Sequence, residues 1–438
     1  MTRRRPMAET QAESPQRSIR HVLTMVILCL AGGTIFNVVY VFEVYYLPLQ
    51  QAMGLSKSQM GMLLGVFGAF SMLSYGPGGW LADRFSSRKL ITLAMVFTGG
   101  TGFLYAGFPS YPVALALHAL WGVSISLVFW NALIKATRNW APSEKQGRAF
   151  GFLEAGRGLF GTIGSTILLG VFTWMGSTRM ALATVISGWS AVIFLCGVAA
   201  WFVLQDDGPG QAGSEDENPK VGWNEVVLVL KMPAVWLIAM VIIATNSGFW
   251  ATYLFTPYAS EVFLLSVALG GLIGVARNWI NPLAPFISGF VADRFGISKT
   301  AAVLLFVMMV SFALFAVTPG KVALLPLVMV NGAMAALCIY ALRGIYFALL
   351  DEQGVPTAVT GTAAGVASVI GFTPDVYMPV VSGAVLDNYP GLLGYRILFA
   401  GASVIAAVGV VAAWLLIRNR PGEFRSQSFT ERKPPKSR

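Results

Sequence analysis

The sequence predicts an all-α integral membrane protein of about twelve transmembrane helices in two six-helix parallel repeats. Three observations predict it. Of 438 residues, 56% are hydrophobic and only 11% charged, with a mean hydropathy of +0.68, more apolar than a soluble core and its hydrated surface require. Apolar segments of about 20 residues or more recur along nearly the whole chain, each long enough to cross a roughly 30 Å hydrocarbon layer. The charged stretch GGWLADRFSSRK (Gly78–Lys89) returns as SGFVADRFGISK (Ser288–Lys299), 210 positions later.

In the first half, Val22–Tyr46 follows a basic start and stays in the membrane, being too long for a cleavable signal and lacking a small-residue cleavage site. Ser58–Leu81 ends at the charged stretch and Leu90–Phe108 begins after it, followed by Val113–Asn139. Gly147–Met175 opens after Ser143 and Gln146, which have the spacing of a capping box, and Met180–Leu204 ends at an acidic run. In the second half, Pro233–Thr256 leads, Ser266–Val291 runs into the second charged stretch, and Thr300–Val317, Val322–Leu349, Ala358–Leu386 and Leu392–Ile417 complete the set.

Between the halves, QDDGPGQAGSEDENPK (Gln205–Lys220) has too little apolar area to fold alone and reads as a linker. Trp223–Leu230 is either a short surface helix or a continuation of that linker. The expected organisation is a basic N-terminus (1–20), a six-helix half (21–204), a linker (205–231), a second half (232–418) and a basic tail (419–438). The net charge of +10 is distributed by side: the basic residues of the termini, of both charged stretches and of Lys145, Arg148 and Lys231 fall on one face, with only Lys57, Arg179, Lys321 and Arg396 on the other. That bias places both termini in the cytoplasm and argues against nucleic acid as a partner.

The repeat extends beyond the charged stretch. Gly79, Asp83 and Arg84 match Gly289, Asp293 and Arg294, and Gly122, Gly151 and Gly161 match Gly332, Gly361 and Gly371 at the same offset. At an offset of 209, Asn37 and Pro48 match Asn246 and Pro257. A carboxylate at a helix end can sit against the positive end of a helix in the other half, so the Asp at matching positions reads as a conformational latch.

Two parallel six-span halves with Gly-x-x-x-Asp-Arg after the second span of each strongly resemble the major facilitator superfamily of secondary transporters. The resemblance implies that Asp83 meets the start of span eleven near Thr357–Thr360 and Asp293 the start of span five near Gly147 and Arg148. Arg84, Arg88 and Arg294 would then orient the acids and anchor at lipid headgroups.

Charges inside the apolar spans are costly and need partners or water. Glu154 and Arg157 lie roughly 12–16 Å into span five and, spaced i, i+3, share a helix face. Arg277 of span eight, followed by Asn278, lies about 24 Å from the cytoplasmic turn. In the family fold spans five and eight face each other, so Arg157 and Arg277 would flank one cavity, and a guanidinium pair suits carboxylate, phosphate or sulfonate. Glu43, Glu154 and Asp375 are the intramembrane acids able to carry a proton and couple transport to a proton gradient. The family's cavity-lining spans one, four, seven and ten supply Asn37, Tyr40, Trp130, Asn131, Asn246, Trp250, Tyr253 and Tyr340. Lys135 and Arg343 read as interface anchors at the cytoplasmic ends of spans four and ten.

Cys29, Cys196 and Cys338 lie in separate spans without a CxxC pair, and His118 is alone in span four; packing is the reading for each, and no metal or cofactor is expected. No phosphate-cradling Gly-Lys-Ser/Thr loop supports an ATP-driven pump, and no nucleophile, base or metal constellation supports an enzyme. Arg138–Pro142 with Glu144, Gly147 and Arg148, and Leu230–Trp236, are similar to the superfamily's branch for organic anions and sugar phosphates. The Arg residues used in spans one and seven by the organophosphate members are absent, so the expected substrate is a carboxylate, sugar acid or sulfonated sugar, moved by a monomer in a bacterial inner membrane. Drug efflux is the alternative in transport, against which no proline follows the glycines of span five; a non-transporting receptor is the alternative outside it.

Overall fold

The computed structural model describes residues 15–142, 145–206, 223–356 and 359–418, and these form twelve helical arms. Span one is broken into Pro15–Thr34 and Phe42–Met53. Spans two to six are Lys57–Arg84, Ser87–Ala106, Tyr111–Trp140, Gln146–Trp174 and Arg179–Val203. Span seven is Pro233–Val262, and span eight is broken into Val267–Ile280 and Ala284–Phe295. Spans nine to twelve are Ile297–Val317, Val322–Glu352, Thr360–Asn388 and Leu392–Arg418. Each six-span half holds a large apolar core, the first also taking in Trp250, Tyr253, Val275 and Met378 of the second half, and a small third cluster surrounds Tyr340.

The breaks have sequence causes. Span eleven stops at Gly371 and restarts at Pro374, whose missing N–H is tolerated at a helix start. Span eight restarts beside Pro285, and span four loosens into a π-helix over Ser124–Trp130. Irregular backbone at membrane depth is stable only inside protein or against a hydrated cavity, so these breaks face the interior of the bundle and not lipid.

Span two carries a capping box: the Ser56 hydroxyl accepts from Gln59 N at 3.1 Å and the Gln59 side chain accepts from Ser56 N at 2.9 Å. The box expected at span five takes another form. Gln146 Nε2 donates to the carbonyls of Arg138 (2.8 Å) and Ala141 (2.5 Å), tying span five to the end of span four; Ser143 lies outside the described residues. Trp223–Leu230 is helical and leads into span seven.

The halves meet along the face opposite the termini. There, Gly61, Gly65 and Gly68 of span two lie against span eleven, where an added Cβ would strike Pro379 O, Val380 Cγ2 and Asp375 O. Lys57 and Ser58, at the start of span two, donate backbone N–H groups to Asp387 of span eleven at 3.0 and 2.7 Å. Lys57 Nζ also pairs with Glu261 of span seven at 2.6 Å, and Glu261 accepts from the Tyr395 hydroxyl at 2.9 Å.

At the terminus-bearing face the halves stand apart. Asp83 and Asp293 are exposed and pair with no described residue, and an added Cβ on Gly79 or Gly289 would meet nothing within 4 Å. The contacts expected of Asp83 and Asp293 are not made among the described residues; Thr357 and Ala358 lie outside those residues. Arg84 lies over the Trp80 ring at 4.2 Å and Arg294 over Phe295 at 5.5 Å, as side chains folded onto their own helices. Arg88 corrects its expected role: it pairs with Asp206 at 2.7 Å and covers Trp201, rather than orienting Asp83.

Candidate substrate site at the seam

On span one, Gly32 and Gly33 leave the room in which Arg157 of span five lies: a Cβ on Gly32 would come 2.7 Å from Arg157 Cδ. So placed, Arg157 donates to Glu154 at 2.5 Å and lies 4.8 Å from the Trp130 ring centroid of span four. The local i, i+3 pair thus forms, with Arg157 mostly covered and Glu154 63% exposed.

Rings continue from there across the seam. Trp130 contacts Phe36, Phe36 contacts Tyr40, and Tyr40 lies 6.2 and 6.1 Å from Trp250 and Tyr253 of span seven. Phe249, one residue before Trp250, contacts Tyr253 and, on span ten, Tyr340. Such offset and edge contacts give each ring a fixed orientation and leave polar edges and π faces toward a bound molecule.

Three guanidiniums and three carboxylates are set around this ring layer. Arg277 of span eight is buried, donates to the Thr252 hydroxyl at 2.5 Å, lies 4.3 Å from the Tyr253 centroid, and forms an ion pair with Glu43 of span one. The pair joins the two halves, and with both partners buried, removing either would strand the other's charge. Asp375 of span eleven accepts from Trp250 Nε1 at 2.7 Å. Arg343 of span ten lies 4.3 Å from the Phe249 centroid and within electrostatic reach of Asp375, Tyr340, Tyr346 and Tyr253. Its side chain is solvent-accessible although surrounded by protein, as expected of a residue lining an open cavity.

Arg343 is the residue that sequence reasoning misplaced. Its span was ended at Leu349, which puts the side chain at an interface; in the structure a 3-10 turn at Tyr346–Ala348 carries the helix on to Glu352. Arg343 then lies about 13 Å inside the helix end. Lys135 does act at an end, donating to the Ala82 carbonyl of span two at 2.8 Å.

Of the amides named from sequence, two bond to backbone carbonyls through their side chains. Asn246 Nδ2 donates to Gly371 O at 3.1 Å, tying span seven to the break in span eleven. Its repeat partner Asn37 donates to Gly33 O at 3.0 Å, beside Gly161, the repeat partner of Gly371. The two matched Asn-Gly pairs thus differ: Asn246 bonds across to span eleven, and Asn37 bonds within its own span. Asn131 Nδ2 faces Gly78 of span two, and Asn278 contributes its backbone carbonyl to Thr162 of span five at 3.3 Å. His118 is buried among Tyr105 and Trp121 with Nδ1 against Ala114 O at 2.8 Å, away from the ring layer.

A twelve-span duplicated bundle with a charged, aromatic cavity on the seam between its halves defines a secondary transporter, and residues 4–372 match the Major Facilitator Superfamily. The chain belongs to that superfamily. It is similar to the Inner membrane protein YqcE of Escherichia coli, 28% identical over 92% of this chain and 96% of the relative, and to the Inner membrane protein YihN, 27% identical over 90% and 94%. More distant relatives include the Probable galactarate/D-glucarate transporter GudP of Bacillus subtilis, 24% identical over 82% of this chain and 84% of its own, and the Oxalate:formate antiporter of Oxalobacter formigenes, 28% identical over 67% and 68%. Among solved structures, a bacterial homologue of the human lysosomal transporter Spinster superposes with a TM-score of 0.68 at 16% identity, covering 93% of this chain and 99% of that one.

Proposed function

We propose that this transporter moves a small organic anion, a carboxylate or sugar acid, across a bacterial inner membrane with the termini in the cytoplasm, acting as a monomer and taking up protons with its substrate. The observation that carries the reading is the Arg277–Glu43 pair. A buried guanidinium held by an acid from the other half, and turned onto Tyr253 beside the ring layer, is a site where a substrate carboxylate competes with Glu43 for the same cation. Protonation of Glu43 removes the competitor, so anion and proton enter together. The relatives named as galactarate/D-glucarate transporter and oxalate:formate antiporter support the anion class.

The test is uptake into proteoliposomes under an inside-alkaline pH gradient, with labelled organic anions, neutral sugars and cationic drugs. Gradient-driven anion uptake that falls at least about tenfold in Arg277→Ala is the expected result, since a buried charge loses its partner. Glu43→Gln is expected to keep anion exchange while losing the response to the gradient. Accumulation of cations or neutral solutes, untouched by Arg277→Ala, overturns the anion reading; anion uptake that needs a trapped counter-anion and ignores the gradient overturns the proton coupling alone.

A further inference from the structure

Phe249 has two cations against its ring. The guanidinium carbons of Arg277 and Arg343 lie 5.6 and 4.3 Å from its ring centroid. That shared reference point holds them within about 10 Å of each other, about one Debye length at 0.1 M salt. They come from different spans, eight and ten, and Tyr253 and Tyr340 stand beside the same ring.

The two cations differ in how their charge is met. Arg277 is in direct contact with Glu43, yet its Nε is buried without a hydrogen-bond partner. Arg343 makes no ion pair within 4 Å among the described residues, although Asp375 is near enough to be felt; Asp375 Oδ1 accepts from Trp250. A structural counter-ion for Asp375 would close onto it as Arg277 closes onto Glu43. A headgroup anchor would sit at a helix end among lipid-facing side chains, and Arg343 sits among Tyr340, Tyr346 and Tyr253. What fits an accessible guanidinium with spare donors, deep in a protein-lined cavity and opposite a second one, is an acceptor that arrives with the substrate.

We propose that Arg343 is a second anion-binding residue and forms with Arg277 a two-point site for a short dicarboxylate, each guanidinium taking one carboxylate across the Phe249 ring. This rests on the anion reading above and narrows it. The carboxylate on Arg277 replaces Glu43, and the one on Arg343 takes donors that no carboxylate holds among the described residues.

The full-length protein in proteoliposomes tests it with three diacids, oxalate, succinate and D-glucarate, each against a monoacid of the same carbon count, acetate, butyrate and D-glucuronate. For at least one pair, wild type is expected to show a KM lower by about tenfold or more for the diacid, the scale of one charge-assisted contact. Arg343→Gln is expected to erase that preference by raising the diacid KM, leaving the monoacid KM within about threefold, and Arg343→Lys to restore part of it. Monoacid uptake by each variant reports that it is folded. Monoacids carried as well as diacids in every pair, or a shift of both KM values together in Arg343→Gln, overturns the two-point site while leaving anion transport standing. Transport of none of these acids, with uptake of a neutral or cationic solute, overturns both.

Discussion

The two faces of the molecule differ: the halves meet at one and stand apart at the other. At the terminus-bearing face lies the repeated Gly-x-x-x-Asp-Arg motif, with Asp83 and Asp293 both exposed. At the opposite face, Asp387, Lys57, Glu261 and Tyr395 join four different spans, none of them within a repeated motif. A duplicated motif therefore marks which elements can latch, while the contacts actually made tell which end is shut. Alternating access requires the two closures to exclude each other, so weakening one must favour the state that the other holds.

The largest expected effect comes from preventing the present closure altogether. Gly61→Leu places a side chain where span two meets the Pro379 carbonyl, and transport is expected to fall by about a hundredfold or more, as overpacking a close helix seam costs several kcal/mol. Cysteine accessibility from the face opposite the termini, measured in the same variant, should rise. Next comes Lys57→Ala, which breaks a mostly covered pair and leaves Glu261 and Tyr395 behind. A loss of about 2 kcal/mol shifts the balance of open states by roughly thirtyfold toward the other face, readable by the same labelling. Labelling unchanged in Lys57→Ala would show that the glycine seam and Asp387 hold this face without the ion pair.

Asp83→Asn should act in the opposite sense and more weakly. Its partner contact belongs to the state not seen here, so the variant favours the present state by a factor of a few, the scale of a helix-end charge contact. A shift toward the other state would break the comparison between the faces. The smallest effect is expected at Asp206, beyond the end of span six. The Ser86 hydroxyl, with Arg88 and Lys89, holds its carboxyl below the usual carboxylate range. A depressed acid contributes fully above its ordinary pKa and loses that contribution only as pH falls through the lowered value. Asp206→Asn should therefore show no pH-dependent change across about pH 6 to 8, and its exposed position should keep the melting temperature within about 2 °C.

The architecture was legible because a bilayer imposes a length and a hydropathy on every crossing, and because the repeat is written at fixed offsets. The Glu154–Arg157 pair was legible for the same kind of reason, its partners being three residues apart on one helix. The Asp387–Lys57 contact joins residues 330 apart, and nothing local to either announces it. Glu43 was read as an intramembrane acid able to carry a proton; that it neutralises Arg277 depends on span eight crossing beside it. Arg343 was misread because apolar periodicity cannot say where a helix ends once a short 3-10 turn carries it further. The asparagines were rightly placed in cavity-lining spans, but a polar side chain there has two uses, and only the partner atom decides between them.

Gly61, Gly65 and Gly68 give the seam a further property, one that concerns descent. Residues that line the cavity can be exchanged one at a time, each change altering what is carried and leaving the carrier able to move. At the seam there is no such gradual path: alanine, the smallest step away from glycine, already brings a carbon onto backbone of the opposite half. What such a lineage transports and how it shuts are thus open to change at very different rates, so new cargo can arise on a closure that stays the same.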